Sequence, residues 1–99
     1  KPLAKYPSVQ RDLAVLVDET LAVGDIIDVV KKEENLASRL ERVEVFDVYR
    51  GAGIADNKKS VAFSLHLRAL EKTLTDEEVV DLMQPLIKLL KDELNAQVR

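Results

Sequence analysis

RVEVFDVYRGAGIADNKKSVAFSLHLRAL, residues 42–70, is the stretch whose reading decides the fold. It divides into two runs rich in branched and aromatic residues, joined by a segment bearing two glycines and an asparagine. In the second run Val61, Phe63, Leu65 and Leu67 alternate with Ser60, Ala62, Ser64, His66 and Arg68. Strand side chains alternate faces with period two, so this run predicts a strand with one apolar face and one of small and polar groups. In the first run Phe46 and Val48 alternate with Asp47 and Tyr49. The same rule predicts the first pair in the core and the second pair on the opposite face. The connection, residues 51–57 with Gly51, Gly53 and Asn57, is longer than a two-residue hairpin turn. One side of this hairpin therefore carries a single aromatic ring among small residues, and function is expected there.

Upstream, RDLAVLVD (residues 11–18) predicts a third strand, with Leu13, Val15 and Val17 on one face. Residues 1–10, broken by Pro2 and Pro7, are expected to be irregular. Val23, Ile26, Ile27 and Val30 follow the i, i+3, i+4, i+7 spacing of a one-sided helix. Lys31 and Lys32 suit its negative end, and Asn35 is its expected stop. Residues 36–40 then lead into the hairpin. Downstream, Thr75 and Glu78 form a capping box, Leu74 and Val79 a hydrophobic staple, and Asp76 and Glu77 suit the positive end of a helix dipole. Val79, Leu82, Met83, Leu86, Leu90 and Leu94 make the buried stripe of that helix, which Pro85 should bend. Residues 96–99 predict a short closing strand. The order β-α-β-β-α-β describes an α+β, ferredoxin-like sandwich, an antiparallel sheet with two helices on one face.

Ninety-nine residues suffice for one domain, residues 1–99, and a chain that opens without Met reads as a fragment of something longer. Without cysteine there is no disulfide, thiolate metal site or thiol nucleophile. No apolar run approaches the ~18 residues that a membrane span requires. A reducing, cytoplasmic setting and no membrane partner are expected. The net charge of −3 argues against a general DNA-coating role. That charge is unevenly placed: residues 75–99 hold six acids and three bases, whereas residues 40–72 hold six bases and five acids. Nucleic-acid binding by the hairpin would thus be local, with a modest charge contribution.

Catalytic constellations are missing. A single histidine excludes a His-based metal cluster, and Gly51 and Gly53 lack the third glycine and following helix of a phosphate loop. Glu33–Glu34 and Glu77–Glu78 are sequence neighbours, which point ~100° apart on a helix and cannot share a proton. Ser60 and Ser64 have no adjacent base. His66 reads first as a solvated or hydrogen-bonding sheet residue and second as a ligand contact. Tyr49 has two readings: packing against a neighbouring domain, or stacking on an unpaired base with Asp47 accepting from the base edge and Ser60 or Ser64 adding polar contacts.

PSVQRD (residues 7–12) followed by LAVLV, VFDVYRG (residues 45–51), KKSVAFSL (residues 58–65) and EKTLTDEEV (residues 71–79) occur here in one order. Together they resemble the ferredoxin-fold anticodon-binding domain, the C-terminal domain of the β subunit of bacterial phenylalanyl-tRNA synthetase. The resemblance spans nearly the whole chain. It departs in Val98, where leucine is usual, and in the variable AGIADN loop. It implies binding of the anticodon stem–loop of tRNA(Phe), with Asp47 and Tyr49 recognising and stacking on the first anticodon base, a guanine, and Ser60 and Ala62 beside them. Ser64, His66 and Arg50 are further candidate RNA contacts. Arg11 and Asp12 are read as a structural pair at the strand entrance. It implies no catalytic residue, metal or cofactor in this domain, with ATP and magnesium serving the whole synthetase. The α subunit and the remaining β-subunit domains are the implied protein partners.

Two other readings share the fold. A ligand-sensing regulatory domain would be favoured by a glycine-rich loop after the first strand, where DETLAVG has one glycine. An RNA-recognition motif needs two aromatics on the open face of its third strand, where Ala62 and Ser64 stand instead.

Overall fold

The structure, a computed structural model, describes residues 8–68 and 74–99. Of the irregular start expected over residues 1–10, residues 1–7 lie outside the described residues, as do residues 69–73, which include Leu70 and part of the approach to the second long helix. Strand β3 (Lys58–Leu67) is the centre of the sheet. It pairs antiparallel with β1 (Val9–Asp18) along its whole length, from Lys58 opposite Asp18 to Leu67 opposite Val9. Its other side carries β2 (Leu40–Tyr49), and β4 (Gln97–Val98) adds to the free edge of β1, giving the order β2-β3-β1-β4. Strand β1 thus begins two residues before the expected Arg11.

Helix α1 (Val23–Lys32) and helix α3 (Asp76–Leu94) lie over one face. Beneath them Val15, Val17, Val61, Phe63, Leu65 and Leu67 of the sheet are fully buried, together with Ile26, Val30, Leu86 and Leu90 of the helices. Each such side chain contributes roughly 1.5–3 kcal/mol. Helix α3 starts as its sequence dictates: Thr75 Oγ1 accepts from Glu78 N (3.2 Å) while Glu78 Oε1 accepts from Thr75 N (2.9 Å). It runs through Pro85 to Leu94 and ends at Asn95, whose left-handed backbone turns the chain into β4.

Residues 36–40, expected to lead directly into the sheet, instead follow a short helical turn, α2 (Glu34–Ala37). The stop for α1 is Glu33, not Asn35. The Glu33 carboxylate accepts from Asn35 N (2.8 Å) and Leu36 N (3.2 Å), so it caps the turn that Asn35 belongs to.

The larger correction concerns Phe46 and Val48, expected beneath the helices. Phe46 is 58% exposed and Val48 39%. Val45 lies opposite Phe63 and Asp47 opposite Ala62, so Phe46 is the extra residue of a β-bulge. Downstream of it Val48 regains the core side, opposite Val61, but on an edge strand with no neighbour beyond. A second irregularity sets Leu40 opposite Leu67 and Arg42 opposite His66, leaving Glu41 unpaired. Phe63→Ala should cost about 3–5 kcal/mol of stability in urea unfolding. Phe46→Ala should stay within about 0.5 kcal/mol. A loss at Phe46 as large as that at Phe63 would return Phe46 to the core.

Candidate nucleic-acid interface

The sheet face away from the helices is built in rows that the strand register defines. Tyr49 of β2, Ser60 of β3, Leu16 of β1 and Gln97 of β4 stand side by side. The next row is Asp47, Ala62 and Ala14, then Glu44, Ser64 and Asp12, then Arg42, His66 and Gln10. Side chains directly opposite on neighbouring strands have Cβ atoms roughly 4.5–5.5 Å apart. Asp47, Tyr49, Ser60 and Ala62 therefore form one four-cornered patch on the helix-free side. The bulge at Phe46 makes this possible, because strict alternation would put Asp47 and Tyr49 on the same side as Val43 and Val45.

Tyr49 is 41% exposed and lies against the loop that follows it. Its hydroxyl donates to the Ala52 carbonyl (3.1 Å). A Cβ on Gly51 would stand 3.4 Å from the Tyr49 hydroxyl oxygen, and Gly51 has φ +130°, a conformation that favours glycine. The loop has its own turn bonds, Ile54 N to Gly51 O (3.0 Å) and Lys58 N to Ala55 O (2.9 Å). Glu19 N to Asn57 O (3.0 Å) ties it to the end of β1.

The serines of the open face are largely covered. Ser60 is 4% exposed and accepts from the Arg99 guanidinium (2.8 Å), while Ser64, 6% exposed, donates to Asp12 Oδ1 (2.6 Å). Gln10 Nε2 donates to the same Asp12 oxygen (3.1 Å) and to Ser64 Oγ (3.3 Å). The bond from Ser64, then that from Gln10, and the neighbouring His66 hold the Asp12 carboxyl below the usual carboxylate range. His66 is half-buried in the last row, with Nε2 3.3 Å from Glu44 Oε1 but outside hydrogen-bonding geometry. Arg50 is exposed and follows the end of β2, off the strand face.

Arg11 and Asp12 do not pair with each other. They point to opposite faces: Arg11 reaches Asp76 at the start of α3 (2.6 Å), and Asp12 belongs to the open-face network. In the connection from β1 to α1 the Leu21 carbonyl is taken by the Nζ of buried Lys59 (2.6 Å). Among the described residues no group of three acidic or histidine side chains is placed to hold a metal ion, and no helix is long and apolar enough to cross a membrane. Arg99 is the open-face residue that the pattern did not single out. Alternation along the short last strand, from Gln97 inward to the open face through Val98, was the available signal.

The sequence model of a family described as the ferredoxin-fold anticodon binding domain matches residues 4–99. The chain is similar to the phenylalanine–tRNA ligase beta subunit of Idiomarina loihiensis, 45% identical over 100 residues, and to that of Fusobacterium nucleatum, 42% identical over 97 residues. It is 44% identical over 98 residues to the same subunit of Bacillus licheniformis. These alignments cover 98–100% of this chain and 12% of each relative.

Because its carboxyl is acidified on folding, Asp12 stabilises the fold fully above its ordinary value of 3.8, and this contribution disappears as pH falls through the lower folded value. Asp12→Asn should therefore lose stability relative to the parent at pH 6, and the gap should close in acid. An equal gap at pH 6 and pH 2 in thermal unfolding would contradict this.

Proposed function

This chain belongs to the ferredoxin-fold anticodon-binding domain family, and on that footing we propose that it binds the anticodon stem–loop of tRNA(Phe) through its helix-free sheet face. The observation that carries the reading is the patch of Tyr49 beside Asp47, on the open side of β2, facing Ser60 and Ala62 across the strand pair. Tyr49 offers a half-exposed ring on which an unpaired base can stack, and small Ala62 leaves the space beside it open. The exposed Asp47 carboxylate only accepts hydrogen bonds, so it favours a base edge that presents two donors. The Watson–Crick edge of guanine, with its imino and amino groups, does so.

In this reading the chain is a single domain, residues 1–99, of a longer β subunit of phenylalanine–tRNA ligase. It contributes RNA binding and no catalysis. Amino-acid activation with ATP and magnesium takes place elsewhere in the enzyme, and the α subunit and other β-subunit domains are its protein partners in the cytoplasm. Ser64 acts through Asp12 instead of touching RNA, since its hydroxyl is covered and committed.

Tyr49→Ala should weaken binding of the phenylalanine anticodon hairpin ten-fold or more, the stack being worth about 1–3 kcal/mol. An NMR titration of the unsubstituted chain should shift residues 47–49 and 60–62 first. Unchanged affinity in Tyr49→Ala, or shifts confined to the helices, would remove this site.

A further inference from the structure

We infer that Arg99 is the phosphate-binding residue of the open face, and that Ser60 positions it. This rests on the RNA-binding reading above and adds a residue and a role to it. The backbone sets the direction. Gln97 lies opposite Leu16 and Val98 opposite Val15, and Arg99 N donates to the Ala14 carbonyl (2.8 Å), which extends the pairing by one residue. Gln97 shares the open side with Leu16, so period-two alternation turns Arg99 to that side as well. Its side chain then crosses β1, and one terminal nitrogen donates to Ser60 Oγ (2.8 Å). Ser60 stands directly opposite Tyr49, so the guanidinium is anchored on the strand next to the ring.

The charge around it is unbalanced. The open face presents Asp12, Asp18, Glu44 and Asp47, with Lys58 set opposite Asp18, and its other arginines are already engaged: Arg42 lies 3.5 Å from Glu44 and Arg68 3.3 Å from Glu41. Among the described residues no Asp or Glu carboxylate lies within 4.0 Å of the Arg99 guanidinium. An arginine fixed at one nitrogen, exposed, and without an acid keeps further N–H donors in a planar fork, the arrangement that suits a phosphate. A nucleotide whose base stacks on Tyr49 carries its phosphate within the reach of such a side chain. Ser60, covered and acting as acceptor to Arg99, holds that fork in place instead of meeting RNA itself.

The test is a fluorescence titration of the full chain with the phenylalanine anticodon hairpin, and with the same hairpin carrying adenine for guanine at the first anticodon position, across a salt series. Arg99→Gln should weaken both hairpins by one common factor, about five-fold at low salt, and reduce the slope of log K against log salt by roughly 0.7–1. Arg99→Lys should retain the slope. Ser60→Ala should move affinity and slope part of the way towards Arg99→Gln, and Ser60→Thr should restore both. If Arg99→Gln leaves slope and affinity unchanged while Tyr49→Ala abolishes binding, Arg99 has no role and the RNA-binding reading survives. A loss confined to the guanine hairpin would make Arg99 a base reader and overturn the phosphate assignment. Failure of the unsubstituted chain to bind either hairpin would remove both conclusions.

Discussion

The register between β3 and its two neighbours is the constraint from which the rest of the molecule follows. Because faces alternate every residue, a slip by one position would move Val61, Phe63, Leu65 and Leu67 into solvent and bring Ser60, Ser64 and His66 under the helices. Ten consecutive residues of β3 are matched on the β1 side without a break. Strand β2 could not match in the same way, since Leu40, Val43, Val45 and Val48 do not fall in one alternating phase. Two bulges, at Glu41 and Phe46, reset the phase so that all four face the helices while Glu44, Asp47 and Tyr49 face away. The apolar core and the candidate interface are thus two outcomes of one set of backbone hydrogen bonds.

This arrangement separates what holds the fold from what the proposed interface presents. The core side chains are almost all fully covered, whereas Tyr49 and Asp47 sit at the outer end of an edge strand, where substitution leaves no cavity. The serines of the central strand are satisfied within the sheet, Ser64 by Asp12 and Gln10, Ser60 by Arg99. A face that combines settled hydroxyls, one ring and few unpaired charges can discriminate by shape and hydrogen bonding more than by attraction at a distance. The irregularities of β2 also interrupt the ladder that an exposed edge would otherwise offer to a second chain.

The sequence carried some of this openly and some not at all. The β-α-β-β-α-β order was legible because the long strands and helices each have a clean period, and Thr75 and Glu78 marked the start of α3 by chemistry that acts within four residues. The placement of Asp47, Tyr49, Ser60 and Ala62 on one face was legible too, though for Asp47 and Tyr49 the structural reason differed from simple alternation. The bulge at Phe46 was missed because a bulky aromatic in a strand is usually a core residue, while the out-of-phase Val43, Val45 and Val48 were its signature. The Arg99–Ser60 and Asp12–Ser64 contacts span 39 and 52 positions in the chain, so no local pattern announces them. The Glu33 cap was hidden for another reason: acidic pairs at helix ends are common, and only the turn that follows assigns the carboxylate its task.

The bond from the Tyr49 hydroxyl to the Ala52 carbonyl has a thermodynamic consequence of its own. A free tyrosine on a strand edge would sample several rotamers, and freezing one on association costs about 0.5–1.5 kcal/mol of entropy. Here the loop, bent at Gly51 and fastened to the end of β1, has already selected the ring orientation before any ligand arrives. On the proposed reading, a base stacking on Tyr49 would meet a ring already oriented, and a larger share of the stacking energy would appear as affinity.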